Sequence, residues 1–371
     1  MENSNLFKPL TVGKCDLAHR IAMAPLTRFR AQDNHVPTIP LSATYYAQRA
    51  CVPGTLLISE ATFISDKASG MPNVPGLWSL EQLTAWREIT DAVHAEGSKI
   101  YCQLWALGRA AAQPVMEAKG LEIVSSSAVP MTEKAPVPRA LSEEEIWEFV
   151  GVYAQAAKNA VEVAGFDGVE IHGANGYLID QFTQDTCNKR TDQWGGSIEK
   201  RSRFAIEIAK AIVKAVGSDR AGIRLSPWGT FQGMLMDDPI PQFTYLIGEL
   251  KKIGLAYIHL TESRVTGPVD ITPSGSLHPF VDAWGEQPVI IAGGYTAEKA
   301  REAVDVEYKG KPVVIAFGRH FISNPDLVFR TMKGIPFTKY NRKTFYIPKN
   351  PVGYTDYPHA KEFGRPAASK I

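Results

Sequence analysis

The chain has 371 residues, enough to bury a large core, and its composition is ordinary for a globular protein. Its 40 basic and 39 acidic side chains leave a net charge of +1, so no overall field would attract nucleic acid or an anionic membrane surface. We therefore expect small-molecule partners and a monomer or homodimer, built from either one large α/β barrel or two medium domains.

Cysteine spacing and the chain ends narrow the class of protein further. The four cysteines are scattered and form no C-x-x-C pair, so no zinc or other metal site, iron–sulfur cluster or disulfide scaffold is predicted. No segment approaches the ~20 apolar residues of a membrane span, and residues 1–10 lack the apolar run of a signal peptide. We expect a cytoplasmic protein; peroxisomal import is an alternative, because Ser369-Lys370-Ile371 differs conservatively from the Ser-Lys-Leu import signal.

The first third of the chain alternates short apolar runs with helical patterns. Alternating apolar positions around Gly13 are typical of a hairpin that closes the bottom of a barrel. Gln103, near the end of the third strand, could pair through its donor and its acceptor with an imide-like edge, or cap a strand end. The predicted elements are the hairpin at 6–17, strands at 21–25, 54–62 and 99–105, and helices at 42–50 and 80–96.

A long segment without a clear element follows the third strand. Residues 106–141 carry several prolines and are too long for an ordinary strand-to-helix connection. We expect this excursion to cross the site as a lid or capping hairpin. A helix then begins at a capping box, in which Ser142 covers the amide of Glu145, and continues toward Val163.

The fourth strand, residues 168–171, stops at a histidine set among glycines. The glycines permit a sharp turn, so His172, Asn175 and Tyr177 can project from one strand end toward a common point. His172 and Asn175 could donate hydrogen bonds to a substrate oxygen that gains negative charge, while Tyr177 supplies a proton. Each residue alone also fits a structural role, but together they favour the chemistry of enone reduction.

The second half of the chain continues the alternation. Arg224, among apolar strand residues, must face the interior or the rim and needs an anion or acceptor there; a structural salt bridge is the alternative. Asn324 and Pro325 are expected to cap a last helix that ends at Lys333. The remaining predicted elements are helices at 198–216, 242–253, 278–284 and 296–303, and strands at 221–226, 256–260, 288–295 and 312–319.

Eight short strands that alternate with helices predict an α/β fold, a single (β/α)₈ TIM barrel, rather than an open sheet. No linker divides it, and no Gly-x-Gly-x-x-Gly turn follows the first strand. Loops after the seventh and eighth strands of such barrels commonly bind a phosphate, and Gly293, Gly294, Gly318 and Arg319 lie there. Two ordinary turns with a surface arginine are the alternative. With Gln103 and Arg224 on the same rim, the set suits an isoalloxazine ring.

Together these segments resemble the Old Yellow Enzyme family, the FMN-dependent ene-reductases that include 12-oxophytodienoate reductases. The resemblance covers nearly the whole chain. It is carried by Leu6-Phe7-Lys8-Pro9-Leu10, Met23 to Arg28, His172 to Phe182, Asp192 to Ser197, Phe317 to Ile322, Lys339-Tyr340, Thr344-Phe345-Tyr346 and Gly353 to Pro358.

The resemblance implies one FMN-binding barrel domain over residues 1–371, with 106–141 as its capping excursion and 338–371 as its C-terminal tail. It also implies a ping-pong cycle in which NADPH reduces FMN and leaves before an α,β-unsaturated aldehyde or ketone enters. His172 and Asn175 would then hold the carbonyl, and Tyr177 would protonate the α-carbon. The FMN contacts it implies are Pro25, Leu26, Thr27, Ala61, Gln103, His172, Arg224, Gly293, Gly294, Phe317, Gly318 and Arg319.

The same resemblance bears on the substrate. Trp105, Phe345 and Tyr346 would line the substrate pocket together with the catalytic residues. Ala61 stands where some relatives have Gly, and Asn175 stands where the plant oxophytodienoate reductases have a second His, so a jasmonate-type substrate is not implied.

The sequence also resembles the ergot-alkaloid branch of the family, through residues 101–106 and 108–111. In that branch Phe at the position of Tyr177 goes with isomerisation of an enal, and Tyr with its reduction. The resemblance therefore implies net reduction, either of a general electrophile or of a pathway aldehyde of the chanoclavine type.

Two other functions remain open on the sequence. A non-catalytic flavin-binding or sensor protein would use the same barrel. A flavin-free barrel aldolase or isomerase would need a lysine or paired carboxylates at the strand ends, which the sequence does not offer.

Overall fold

The computed structural model describes residues 4–364 apart from 267, 268, 271, 273 and 274, so Ser369-Lys370-Ile371 lies outside the described residues. The strands of the described part are β1 (Leu10–Val12), β2 (Cys15–Leu17), β3 (Ile21–Met23), β4 (Leu56–Ile58), β5 (Thr62–Phe63), β6 (Lys99–Trp105), β7 (Val124–Ser125), β8 (Arg139–Ala140), β9 (Gly168–Gly173), β10 (Ala221–Leu225), β11 (Tyr257–Thr261), β12 (Val265–Thr266), β13 (Val269–Asp270), β14 (Val289–Ala292) and β15 (Val313–Phe317). Its α-helices are α1 (Leu41–Arg49), α2 (Leu80–Ala95), α3 (Gln113–Ala118), α4 (Glu143–Lys158), α5 (Leu178–Thr183), α6 (Ile198–Val216), α7 (Pro239–Ile253), α8 (His278–Trp284), α9 (Ala297–Glu302), α10 (Arg319–Ser323) and α11 (Leu327–Lys333).

Eight parallel strands close into a barrel in the order β3, β4, β6, β9, β10, β11, β14, β15 and back to β3. Ala22 on β3 pairs with Leu56 on one side and with Ala316 on the other, which closes the ring. The predicted TIM barrel is therefore confirmed. Because all eight strands run in one direction, their carboxyl ends meet at a single rim.

The opposite end of the barrel is plugged by the predicted hairpin. Strands β1 and β2 pair in antiparallel fashion, and their buried side chains pack against Leu56, Tyr101 and Tyr257 inside the barrel. The Lys14 amide donates to the carbonyl of Asp219, just before β10, at 3.1 Å. With the bottom filled and the outer faces of the strands covered by the helices, the open rim is the place for a ligand.

Two connections differ from their prediction. The strand expected at 54–62 is interrupted, because the Ser59 and Thr62 hydroxyls both donate to the Glu60 carbonyl and divert the backbone from the ladder between β4 and β5. The excursion 106–141 is not a capping hairpin. It contains the helix α3, and its two short strands, β7 and β8, pair in parallel.

The last helix also begins elsewhere than expected. Asn324 does not cap it, since the Asn324 side chain accepts from the Thr338 amide at 2.8 Å and donates to the Thr338 carbonyl at 3.1 Å. The helix starts at Leu327, after Asp326. An additional short helix, α10, fills the space directly after β15 and begins at Arg319.

Three buried arginines bind the C-terminal tail to the barrel. Arg28 donates to the carbonyls of Phe345 and Gly353, at 3.1 and 2.7 Å. Arg30 and Arg49 donate to further tail carbonyls, including those of Thr344, Asn350, Val352 and Tyr354. Since guanidinium groups offer five donors in a fixed plane, they satisfy many tail carbonyls at once. This arrangement holds Phe345 and Tyr346 at the rim.

Glu60 lies among these arginines, and its burial should make the stability of the fold depend on pH. Burial raises the pKa of Glu60 to about 7, above the ordinary value of 4.5 near which it titrates in the unfolded chain. Its contribution to the free energy of unfolding is therefore fully present below pH 4.5 and lost as the pH rises through about 7. Relative to Glu60→Gln, the wild type should lose about 3 kcal/mol between about pH 4.5 and about pH 8, measured by urea unfolding. The exposed Glu88→Gln variant is the control, and parallel profiles for Glu60→Gln and wild type would contradict the assignment.

No helix in the described ranges combines the length and apolar character needed to cross a membrane.

Candidate active site

A cavity of about 420 Å³ opens at the carboxyl ends of the barrel strands, a size usual for small-molecule sites. The structure places every predicted site residue on its wall. These residues are Pro25, Leu26, Thr27, Ala61, Gln103, Trp105, His172, Asn175, Tyr177, Arg224, Gly293, Gly294, Phe317, Gly318, Arg319, Phe345 and Tyr346.

The residues after β9 converge on one side of this cavity. The rings of His172 and Tyr177 are 4.9 Å apart between centroids, and Trp105 packs edge-on against Tyr177 at 4.7 Å. Asn175 lies between them in sequence with a left-handed backbone, φ 59°, which an asparagine tolerates. The backbone N–H of Asn175 donates to the Ser226 hydroxyl at 2.8 Å. Ser226 directly follows the neighbouring strand β10, so it holds the turn in place.

His172 is neutral and available to a ligand. Burial lowers its pKa well below the ordinary value, and the neighbouring Arg224 and His259 lower it further. Its Nδ1 is buried and makes no hydrogen bond to a described residue. A neutral imidazole donates through one nitrogen only, so it can bind a substrate oxygen without delivering a full charge.

Tyr177 keeps its proton at neutral pH. Burial raises the pKa of its hydroxyl, and a side-chain hydrogen bond with Gln232 partly opposes that rise. Gln232 approaches this turn because the adjacent residue is a glycine: a Cβ at Gly176 would lie 2.8 Å from the Gln232 Cβ. A protonated phenol beside a polar partner can act as a proton donor.

Gln103 and Arg224 form a polar edge inside the rim. Gln103 Nε2 donates to the buried Glu170 carboxylate at 2.8 Å. Arg224 makes one long hydrogen bond, 3.5 Å to the Thr261 hydroxyl, and its Nε is buried without a partner among the described residues. A guanidinium in this state can bind a further acceptor in the cavity.

Glycines shape the far end of the cavity. Gly293 has φ 143°, and a Cβ there would lie 2.5 Å from the Glu262 Cβ, so only glycine fits without a shift. Gly294, after β14, and Gly318, after β15, line the same part of the rim, and Arg319 adds a cation beside them. Close backbone approach combined with a guanidinium is the arrangement that the sequence predicts for a phosphate.

Several residues of the wall were not predicted from the sequence. Phe29, Met71, Phe231, Val265 and Tyr295 also line the cavity. Most stand in loops whose path depends on tertiary contacts. Next to Phe231, for example, the Gln232 carbonyl accepts from Arg109 Nη2 at 2.9 Å. The one signal in the sequence for Phe231 was an aromatic residue in the loop after the predicted strand at 221–226.

Comparison with known proteins agrees with this geometry. The model of the NADH:flavin oxidoreductase / NADH oxidase family matches residues 5–338. The chanoclavine-I aldehyde reductase fgaOx3 of Penicillium roqueforti is 60% identical over 97% of this chain and 98% of its own length. The crystal structure of Old Yellow Enzyme from Pichia superposes with a TM-score of 0.90 at 39% identity, over 100% of this chain and 97% of that one. The chain belongs to the Old Yellow Enzyme family.

Membership in the Old Yellow Enzyme family makes the chain a flavin-dependent oxidoreductase that uses a reduced nicotinamide. A relative from Epichloe festucae var. lolii, 56% identical over 98% of this chain and 97% of its own, is named a probable inactive reductase, easA. The residues of the cavity must therefore carry the functional argument.

These residues fit a flavin. The unpartnered Nε of Arg224 and Nδ1 of His172 are buried polar atoms that a bound ligand could satisfy. At Gly293 a Cβ would collide with the Glu262 side chain, so only glycine lets the backbone take this path along the cavity. An Old Yellow Enzyme flavin, with a polar ring edge and a phosphate tail, matches both ends of the cavity.

Proposed function

We propose that the protein is an NADPH-dependent, FMN-containing ene-reductase for α,β-unsaturated aldehydes or ketones. The observation that carries the proposal is the meeting of His172, Asn175 and Tyr177 on one wall of the cavity, beside Gln103 and Arg224. FMN, when bound, supplies the redox chemistry, taking a hydride from NADPH and giving one to the β-carbon. Gln103 and Arg224 would hold its ring edge, and Gly293, Gly294, Gly318 and Arg319 its phosphate.

The chain's own groups activate the substrate. The neutral His172 and the carboxamide of Asn175 donate to the carbonyl oxygen, where negative charge develops during reduction. Tyr177 then donates its hydroxyl proton to the α-carbon. An isolated alkene is a poor hydride acceptor, so the carbonyl must be polarised before the β-carbon can accept a hydride. The two donors therefore contribute mainly by stabilising the transition state rather than the bound substrate.

The wall of the cavity favours an apolar, ring-containing substrate. Trp105, Phe231, Phe345 and Tyr346 supply aromatic surface, and Tyr346 is 49% exposed at the mouth. Identity of 60% with a protein named a chanoclavine-I aldehyde reductase favours, as a second candidate, a pathway enal reductase of that type. The presence of Tyr177 supports reduction of the enal.

The proposal is tested by anaerobic titration of the purified protein loaded with FMN. NADPH should bleach the yellow colour, and enals, cyclic enones such as 2-cyclohexenone, or maleimides should restore it with formation of the saturated product. Bleaching that none of these acceptors reverses would instead indicate a flavin-storage or sensor protein. Protein that takes up no FMN would refute the proposal altogether.

His172→Ala should weaken the binding of phenolic ligands, which imitate the substrate enolate. A hydrogen bond to a charged oxygen contributes about 1.5–3 kcal/mol, so affinity for p-hydroxybenzaldehyde should fall about 10- to 100-fold. The measurement is titration of the change in flavin absorbance when the phenol binds. His278→Ala, on an exposed face of α8, is the matched control. Equal affinity in His172→Ala and wild type would remove His172 from the oxygen-binding pair.

A further inference from the structure

A carboxylate that the proposed reaction does not use lies inside the barrel, two residues before His172. Glu170 is completely buried on β9. Three donors from β6 and β11 surround it: Gln103 Nε2 at 2.8 Å, His259 Nδ1 at 2.8 Å and the Tyr257 hydroxyl at 3.1 Å. A buried charge is tolerated only when it is hydrogen-bonded in this way.

The neighbouring strand is built to let these groups meet. Gly222 on β10 pairs in register with both Glu170 and Tyr257. A Cβ at Gly222 would lie 2.4 Å from the Tyr257 ring. The absence of a side chain on the intervening strand therefore allows the Tyr257 hydroxyl to cross β10 and reach the carboxylate.

The carboxylate is ionised and its histidine partner is neutral. Burial alone would raise the pKa of Glu170, but His259, Arg224 and Gln103 together hold it below the ordinary value. Burial lowers the pKa of His259. His259 thus donates through Nδ1 as a neutral imidazole, and Glu170 brings one net negative charge next to Gln103, which lines the cavity.

Glu170 also decides which end of the Gln103 amide faces the cavity. An ionised carboxylate only accepts hydrogen bonds, so Gln103 must turn its NH₂ group toward Glu170. The Gln103 carbonyl oxygen is then left to the cavity as an acceptor. An imide edge presents an N–H group beside carbonyl oxygens, so it is complemented by an acceptor at Gln103 near a cation at Arg224. If the Gln103 amide were turned the other way, its NH₂ group would face that N–H group, donor against donor.

Glu170 also acts on the charge of Arg224. Arg224 lies next to His172 and His259 in register across three strands. It forms no ion pair within the described part of the chain, and the Glu170 charge raises the Arg224 pKa against the effect of burial. The carboxylate therefore offsets part of the positive potential that Arg224 presents to a ligand.

We infer that Glu170 is a positioning residue that orients the Gln103 amide toward the pyrimidine edge of FMN, offsets part of the Arg224 charge, and thereby sets the reduction potential of the bound flavin. The inference rests on the proposed function, because it takes FMN as the ligand of this cavity. Reduction adds negative charge to the flavin ring, so a nearby carboxylate makes reduction less favourable.

Two substitutions separate the two effects. Glu170→Gln keeps the length of the side chain but removes its charge, and it should shift the equilibrium for two-electron reduction of bound FMN toward the reduced form by about tenfold, about 30 mV. Glu170→Asp keeps the charge but withdraws it from Gln103, and it should weaken FMN binding about tenfold. Potentials are measured against a reference dye, and FMN affinity by quenching of FMN fluorescence on binding to the apoprotein.

A buried carboxylate that does not line the cavity provides the control. Asp326 is fully buried and binds Arg330 and the Ala360 amide. Asp326→Asn should alter neither the flavin potential nor FMN affinity, even where it lowers thermal stability. If Glu170→Gln does not fold, the FMN affinity of Glu170→Asp carries the test.

The inference is overturned if the flavin potential in Glu170→Gln and the FMN affinity of Glu170→Asp both equal those of the wild type. A merely structural role predicts that outcome, with loss of thermal stability only. Neither measurement involves an enal. A wild-type protein that binds FMN but reduces no enal, cyclic enone or maleimide would therefore refute the proposed function while leaving this inference intact.

Discussion

Tyr177→Phe should slow reduction of an enal by about 10²- to 10⁴-fold and leave reduction of the flavin by NADPH close to the wild-type rate. A positioned general acid contributes a factor of this size, and only the step that protonates the α-carbon needs the phenol. Burial raises the pKa of Tyr177 while Gln232 opposes that rise, so the wild-type hydroxyl holds its proton until the substrate takes it. Stopped-flow measurement of the two half-reactions separates them directly.

Two controls sharpen this test. Tyr245→Phe, on a half-exposed face of α7 away from the cavity, should leave both half-reactions unchanged. A quinone acceptor, whose oxygen receives the hydride equivalent without protonation at carbon, should reoxidise the Tyr177→Phe enzyme at the wild-type rate. Equal slowing of flavin reduction and enal reduction would show that Tyr177 shapes the pocket rather than donating a proton.

The strand ends of the barrel were predictable from the sequence because local signals determine them. A short apolar run that stops at polar residues and glycine predicts both a buried strand and the direction of its last side chains. For His172, Asn175 and Tyr177 these signals lie within six consecutive residues. Gly293 and Gly318 are distant in the sequence, but they could be predicted to lie close together because the parallel strands of a barrel all end at one rim.

Contacts between distant segments were not predictable in this way. Arg28 binds the carbonyls of Phe345 and Gly353, more than 300 residues later in the chain. The three donors to Glu170 come from strands whose register depends on barrel closure. Similarly, Asn324 and Pro325 have the local pattern of a helix start, but tail contacts at Thr338 engage the Asn324 side chain instead. Tertiary hydrogen bonds here override a weak local preference.

The proposed phosphate end of the cavity gives the second large effect. Gly293→Ala introduces a Cβ 2.5 Å from the Glu262 Cβ and forces alanine into φ 143°, a region that side chains rarely adopt. Strain of this kind costs about 1–3 kcal/mol, and the loop must move away from the position that suits the anion. We expect FMN affinity to fall about 10- to 100-fold, measured by fluorescence quenching on titration of the apoprotein.

Another glycine isolates the cause of that loss. Gly248 lies within α7, where an added Cβ would meet no atom within 4 Å. Gly248→Ala should therefore bind FMN as the wild type does and gain about 0.5–1 kcal/mol of stability from helix propensity. Riboflavin, which lacks the phosphate, distinguishes the two ends of the cavity. Its affinity should change less than that of FMN in Gly293→Ala, because the strained loop is proposed to contact the phosphate and not the ring. Equal losses for riboflavin and FMN would place the effect of Gly293 on the ring or on the whole rim, and the anion would have to bind elsewhere.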